Sequence, residues 1–380
     1  GLGDVDQAKE SLVAGAAIDA NAIQLLKFTI QIQQATGDRQ AAASMLSQAL
    51  SIHPDNPELL LLRASLAIQD DDRAGAMEAC RKIIDQDPVK LITVYGRQAR
   101  LGLARLEMQE KDLDKAQAAL EPLLKLNADD PMANYLGGML AFEQGDYELA
   151  EQRLRKVLKV APEHAPTQLL FGTVSYAQQD YEQAAYYLAR YLNAVPANLG
   201  ARKLLGRAYM NLGQHDQAQE ALQTAVDEEV EDAELLALVG LSRLQAGETI
   251  SGIEGLEHAL KVDPDSAAVR EELAKAYISA GETDRAIKEL EAILAEGGEQ
   301  EQTETLVVIA HLRGGNFDQA LDKGMEMLSR NPEDPAILTL VGNVLNAGND
   351  KTEARKYFQK ALQIRPEYIP ATLSLAGLEE

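Results

Sequence analysis

Tryptophan is absent from these 380 residues, cysteine occurs once, and aromatic side chains make up only 4% of the chain. A lone cysteine, Cys80, forms no internal disulfide, so no covalent staple supports the fold. Basic residues are scarce beside acids, 36 against 60, which leaves a formal net charge of −24. That balance argues against nucleic acid, whose phosphates call for a basic surface, and against docking on anionic lipid. No apolar run reaches the ~18 residues that a membrane helix needs. The five histidines (His53, His164, His215, His258, His311) stand far apart with no metal-ligand spacing. There is no phosphate-cradling glycine loop and no nucleophile elbow. Asp70-Asp71-Asp72 lacks the glycine and distal glutamate of a calcium loop and reads as a turn cap. The expectation is a non-enzymatic protein with no metal and no cofactor.

What the chain does have is a register. Ala8, Ala42, Ala76, Ala116, Ala150, Ala184, Ala218, Gly252, Ala286, Ala320 and Ala354 recur every 34 residues, except for one step of 40 between Ala76 and Ala116. Four residues after this anchor comes mostly leucine, and eight after it leucine or isoleucine again, which draws one apolar stripe along a helix. Cys80 holds one of these stripe positions and reads as a small core residue. Twelve residues before the anchor lies a second small site, such as Ala64, Ala104, Gly138, Gly172, Gly206, Gly240 and Gly342. Glycine inside a helix costs about 1 kcal/mol relative to alanine, so its recurrence signals close helix–helix contact. Twelve residues after the anchor, prolines such as Pro54, Pro162, Pro196 and Pro366 stop the second helix. Asn56-Pro57, Asp130-Pro131 and Asp334-Pro335 start the next one with a capping side chain and a first-turn proline.

These features resemble the tetratricopeptide repeat, a helix–turn–helix unit with the same period. The resemblance implies an all-α solenoid, a right-handed superhelix of about 22 antiparallel helices in about 11 repeats. Residues 1–380 then form a single solenoid, expected to be a piece of a longer array because the chain opens inside a turn and closes on an unpaired first helix. The six extra residues of the long repeat predict a lengthened first helix over 89–109. Gly252 and Gly255, the Glu296-Gly297-Gly298-Glu299 run and the acidic stretch Val226 to Glu234 read as looser places.

In such arrays the first helices line a concave groove, so the functional reading turns on their inward residues. Spacing places Leu101, Arg105 and Met108 there, then Met132, Tyr135, Met139 and Phe142. Leu169, Thr173 and Tyr176 follow, then Lys203, Arg207 and Met210. The central groove is thus apolar and methionine-rich, whereas Gln24, Lys27, Gln31 and Gln34 near one end and Asn343 and Asn346 near the other are polar. Ten of the seventeen aromatic residues fall between Tyr135 and Tyr209, and exposed apolar patches on proteins mark binding sites. The competing reading is that these rings pack between helices. Lys203 and Arg207, one turn apart, are positioned to hold a partner's carboxylate or to pair with the chain's own glutamates. They resemble half of the clamp of chaperone-binding repeat proteins, but Leu169 and Thr173 stand where its asparagine is wanted, so chaperone tails are not the expected ligand.

From about Arg97 to Leu222 the wording is more specific. Ala99-Arg100-Leu101-Gly102-Leu103-Ala104, Pro131-Met132-Ala133-Asn134-Tyr135-Leu136 and Tyr186-Tyr187-Leu188-Ala189-Arg190-Tyr191-Leu192 are similar to the repeat lipoproteins that accompany bacterial exosortase (PEP-CTERM) systems. That resemblance implies a role in cell-surface protein sorting or exopolysaccharide export, and a periplasmic setting behind a lipid anchor. The expected partner is a protein or peptide segment bound in the groove. A glycan is the alternative ligand, and an architectural spacer the alternative role.

Overall fold

The computed structural model describes residues 30, 39–87, 92–226, 231–297 and 300–378. Those residues fold into two compact units that divide after Ala194. In the first unit α1 (Arg39–Ile52) precedes four hairpins. These are α2 (Pro57–Gln69) with α3 (Arg73–Ile84), α4 (Val94–Gln109) with α5 (Leu113–Leu126), α6 (Pro131–Glu143) with α7 (Tyr147–Val160), and α8 (Ala165–Ala177) with α9 (Tyr181–Ala194). The second unit starts with α10 (Leu199–Asn211) and α11 (His215–Val226), then α12 (Ala233–Gln245) and α13 (Thr249–Val262). It continues with α14 (Ala267–Ala280) and α15 (Thr283–Ala295), α16 (Gln300–Arg313) and α17 (Phe317–Arg330), and α18 (Pro335–Ala347) and α19 (Lys351–Ile364). The last helix is α20 (Ile369–Gly377). The described residues thus carry twenty helices and no strand, in line with the all-α solenoid expectation. The repeat around Ala8 and the polar groove residues Gln24 to Gln34 lie outside the described residues.

The register explains why the hairpins close. Every described anchor alanine is fully buried, at 0% exposure. The small site on the first helix is the seat for the side chain four residues past the anchor. A β-carbon on Gly138 would lie 2.7 Å from Leu154, one on Gly206 2.6 Å from Leu222, and one on Gly342 2.4 Å from Phe358. Repeat after repeat, a large side chain fills the hole left by a missing one. Between α16 and α17 the pattern differs, with Val308 at the small site and Gly324 at the large one, where a β-carbon would meet Val341 of α18 at 3.1 Å. Five residues before the anchor φ is positive in all nine described turns, from 58° at Asp71 to 85° at Gly247. Asp72, Asp112, Asp146, Asp180 and Asp350 then accept a backbone N–H in the first turn of the second helix. Asp72 therefore accounts for the acidic triplet as a cap. Asn56, Asp130 and Asp334 cap the first helices that open on proline, as their sequence predicts.

Three expectations change. The lengthened first helix begins at Val94, capped by the Thr93 hydroxyl, and runs 16 residues where α6, α8 and α10 run 13. Ile92 and Thr93 are not helical, and residues 89–91 lie outside the described residues. The reason is Asp87, whose carboxylate accepts from the Thr93 N–H and hydroxyl and from Arg100, so this connection is tied down as a loop. The glycines of α13 are not a weak point. A β-carbon on Gly255 would lie 2.8 Å from the Gly240 Cα, and one on Gly240 2.8 Å from the Gly252 carbonyl oxygen, so here two helix backbones touch. Of the acidic stretch, residues 227–230 lie outside the described residues, while Asp232 caps α12 and Glu234 sits in its first turn.

Candidate functional site

A cleft of about 730 Å³ opens in the first unit between α4, α6 and the start of α8. Its apolar wall is Met108, Met132, Leu136 and Met139, with Tyr135 among them. The helical rise explains the grouping, since Met132, Tyr135 and Met139 share one face of α6 while Arg105 and Met108 lie on the facing side of α4. Met132 is exposed, Tyr135 and Met139 are half-buried, and Met108 is buried. A smaller neighbouring hollow, about 360 Å³, carries the same surface past Leu101, Gln98 and Ile68 and shares Arg105 and Met132 with the first.

Charge in the cleft is unevenly matched. Arg73 donates to Glu110 at 2.9 Å, and Lys111 to Glu143 at 3.0 Å. Arg105 is exposed and makes no hydrogen bond or ion pair among the described residues. Its charge is felt by Tyr135, whose phenol burial pushes above its ordinary value while Arg105 pulls it back. Tyr135 packs edge-to-face on His164, with ring centroids 5.4 Å apart. His164 is the N-cap residue of α8, and its Nδ1 stands 2.7 Å from Thr167 Oγ1. In the sequence His164 stands only as one of five scattered histidines. The structure makes it a half-buried wall of the cleft, because Tyr135 of the preceding first helix reaches across to it.

The remaining predicted groove residues separate. Phe142 packs into the core with Leu154 and Phe171 and leans on Tyr147 at 5.8 Å. Tyr176 meets Tyr181 at 5.4 Å in the equivalent place one hairpin on. Both rings close their own turns, because the residue eight before the anchor faces the one three before it. Leu169 is half-buried, and the Thr173 hydroxyl returns to the Leu169 carbonyl. In the second unit Met210 packs against Leu222, Leu235, Leu238 and Val239. The basic pair has internal partners. Lys203 holds Asp232 at 3.3 Å and Glu234 at 2.5 Å, and Arg207 holds Glu234 at 2.6 Å. Burial opposes the Lys203 charge, but these two carboxylates outweigh it and raise its pKa, while Lys203 lowers that of Glu234. The carboxylates that Lys203 and Arg207 were set to grip are thus the chain's own, delivered by the first turn of the next first helix.

Another set of residues went unread in the sequence. Sixteen residues before the anchor, Asn134, Gln168, Arg202 and Arg270 each donate to the carbonyl six residues upstream, of Ala128, Pro162, Pro196 and Pro264. Each ties a first helix to the loop that enters it. A polar residue at a fixed register within an otherwise apolar stripe was the available signal.

Cys80 is buried, and burial pushes its thiol up to about 11, which suits core packing rather than nucleophilic chemistry. Among the described residues no cluster of metal-ligating side chains occurs, and no helix is long and apolar enough to cross a membrane.

Two family models, each described as tetratricopeptide repeat, match the chain. One covers residues 34–91, 175–241 and 243–307, the other 101–152, 135–198 and 308–369. No curated protein sequence matches. Among solved structures, a tetratricopeptide repeat protein from Parabacteroides merdae ATCC 43184 is 17% identical, over 67% of this chain and 98% of its own, with a TM-score of 0.46. PilW, a widely conserved type IV pilus biogenesis factor, is 18% identical over 53% of this chain and 90% of its own, with a TM-score of 0.47. The Cut9–Hcn1 structure of the APC/C is 13% identical over 98% and 94%, with a TM-score of 0.45. The matched models, and the anchor and small-site register that the hairpins carry, establish that the chain belongs to the tetratricopeptide repeat family.

Proposed function

We propose that this chain is a non-enzymatic interaction scaffold and that the cleft between α4, α6 and α8 receives a segment of a partner protein. Proteins of this repeat family generally act as protein-interaction scaffolds. The observation that carries the assignment to this cleft is the methionine and tyrosine wall, left open beside an arginine that no described residue pairs. Helices held by buried knobs present that wall ready-formed, so the scaffold loses little entropy on binding. Methionine side chains adapt to differently shaped apolar groups. A sugar finds less here, since the two aromatic rings of the wall, Tyr135 and His164, are packed edge-to-face on each other rather than free as a platform.

The similarity of residues 97–222 to the exosortase-associated lipoproteins supports a setting in bacterial envelope protein sorting or exopolysaccharide export, in the periplasm. The test is site-specific photo-crosslinking in cells from which the chain derives, with the photoreactive residue at Met132 or, as a control, at the exposed Val160 of α7. An adduct formed from Met132 alone, with a protein of the envelope fraction, is the expected result. Equal adducts from both positions would move the interface off the cleft, and a chain recovered only from the cytosolic fraction would remove the periplasmic setting.

A further inference from the structure

Resting on that reading, we infer the chemistry of the segment: an apolar side chain next to a carboxylate, with Arg105 receiving the carboxylate. The chain carries 60 acidic and 36 basic residues, so acids for a cation to pair with are plentiful. Most of the cation contacts traced above end on an internal acid: Lys203 and Arg207 on Asp232 and Glu234, Arg73 on Glu110, Lys111 on Glu143. Arg105 lines the 730 Å³ cleft with its five donors unclaimed by any described residue. Its neighbours there are Met108, Met132, Tyr135 and Met139, which offer a carboxylate no competing donor except the phenol and exclude water on one side. A guanidinium at such an edge forms a forked, charge-assisted pair with a carboxylate, stronger than either group's bond to water alone would suggest. The 730 Å³ of the cleft admits one or two side chains beside that pair. Arg73 and Lys111 are matched by Glu110 and Glu143, so a basic segment would meet Arg105 as the unmatched charge, and a purely apolar one would leave Arg105 stranded when it closes over the cleft. Complementarity of charge therefore selects an acidic-apolar segment. A side-chain carboxylate and a chain-terminal carboxylate supply the same chemistry.

The test uses fluorescein-labelled nonapeptides in a Gly/Ser background, with one central leucine flanked by aspartate, asparagine or lysine, all with blocked ends. A fourth peptide ends on leucine with a free carboxylate. Anisotropy titrations are run on the full chain and on Arg105→Gln, Arg105→Lys and Met132→Ala/Met139→Ala, each shown helical by circular dichroism. The aspartate or the free-ended peptide is expected to bind at least about fivefold tighter than the asparagine one, the value for an exposed charge-assisted pair. Which of the two does so identifies the source of the carboxylate. Arg105→Gln should erase that preference while leaving asparagine-peptide binding unchanged, and Arg105→Lys should keep part of it. Equal binding of the aspartate, asparagine and free-ended peptides, all lost in the methionine pair, would overturn the carboxylate and leave the cleft standing. Binding of every peptide unchanged in the methionine pair would overturn the cleft itself. Tightest binding of the lysine peptide, or no binding of any, would overturn the inference, as would an Arg105-dependent dimer in sedimentation, which would make the occupant a second copy of the chain.

Discussion

Gln179 occupies the turn between α8 and α9 with φ 64°, where five sister turns place glycine. A side chain in that left-handed conformation is strained by about 1 kcal/mol, because its Cβ crowds the following carbonyl. Gln179→Gly is therefore expected to stabilise the first unit by ~0.5–1 kcal/mol, read as a raised urea midpoint; no change would show that the turn relieves the strain by other means. Glu304 illustrates the opposite case. Its side chain is 3% exposed in α16, and it accepts from Lys323 at 2.9 Å and Arg330 at 2.5 Å. Burial alone would raise its pKa, but the two cations together lower it below the ordinary carboxylate value. A depressed folded pKa means the unfolded chain takes up the proton first. Stability from this group is thus complete above the unfolded value of about 4.3 and is lost as pH falls through the folded one. Glu304→Gln should cost ~2–4 kcal/mol near pH 7 and progressively less at acid pH, so that urea midpoints of the two proteins converge on acidification. Parallel curves would show that the triad adds nothing through its charge.

At the scale of elements, helix pairs are specified by the exchange of volume between the small site and its partner. The α12–α13 pair is the extreme, since the hole at Gly240 is lined by backbone: the Gly252 carbonyl at 2.8 Å and the Leu256 amide at 2.9 Å from a β-carbon placed there. Gly138, by contrast, faces the movable end of Leu154. Gly240→Ala is expected to destabilise by ~2–3 kcal/mol and Gly138→Ala by less than half as much, although alanine is the better helix former at both. Equal effects in chemical denaturation would remove backbone contact as the cause. The start of α4 rests on Asp87 and Arg100, whose side chains are 5% and 12% exposed. The Asp87 carboxylate also lies within 2.0 Å of where a Gly96 β-carbon would stand, so glycine is required under it. Asp87→Asn leaves Arg100 buried without an anion, a loss of about 3 kcal/mol or more. Hydrogen exchange should then quicken in the first turns of α4 and remain unchanged in α6; protection retained in α4 would show that Thr93 alone holds the loop.

For the whole molecule the governing quantity is the charge of −24. Lys and Arg are largely committed to local pairs, and the surplus acids repel one another across the surface. Raising ionic strength from about 10 mM to 150 mM shortens the screening length from roughly 30 Å to 8 Å, so thermal stability at neutral pH is expected to rise by a few degrees. A fall would mean that the ion pairs outweigh the repulsion. In a repeat array each hairpin leans on its neighbours, so this gain should be spread along the chain rather than confined to one core.

The amino-acid sequence by itself determined the period, the buried anchor, the small site, the capping residues and hence the hairpins, because each depends on contacts within one unit repeated many times. A missing β-carbon at Gly206 and a leucine at Leu222 are fitted to each other by spacing alone. It also placed Arg105, Met108, Met132, Tyr135 and Met139 on facing helix faces, and these do line one cleft. Only the tertiary structure decided which inward residues remain available. Phe142, Tyr176 and Met210 satisfy the same spacing but are taken by neighbouring side chains, and Lys203 and Arg207 are taken by acids of the next hairpin. His164, Arg73 and Lys111 join the cleft from positions outside the projected face. Spacing fixes direction along one helix, whereas occupancy depends on what the adjoining helix and loop bring within reach, and a linear pattern does not hold that distance.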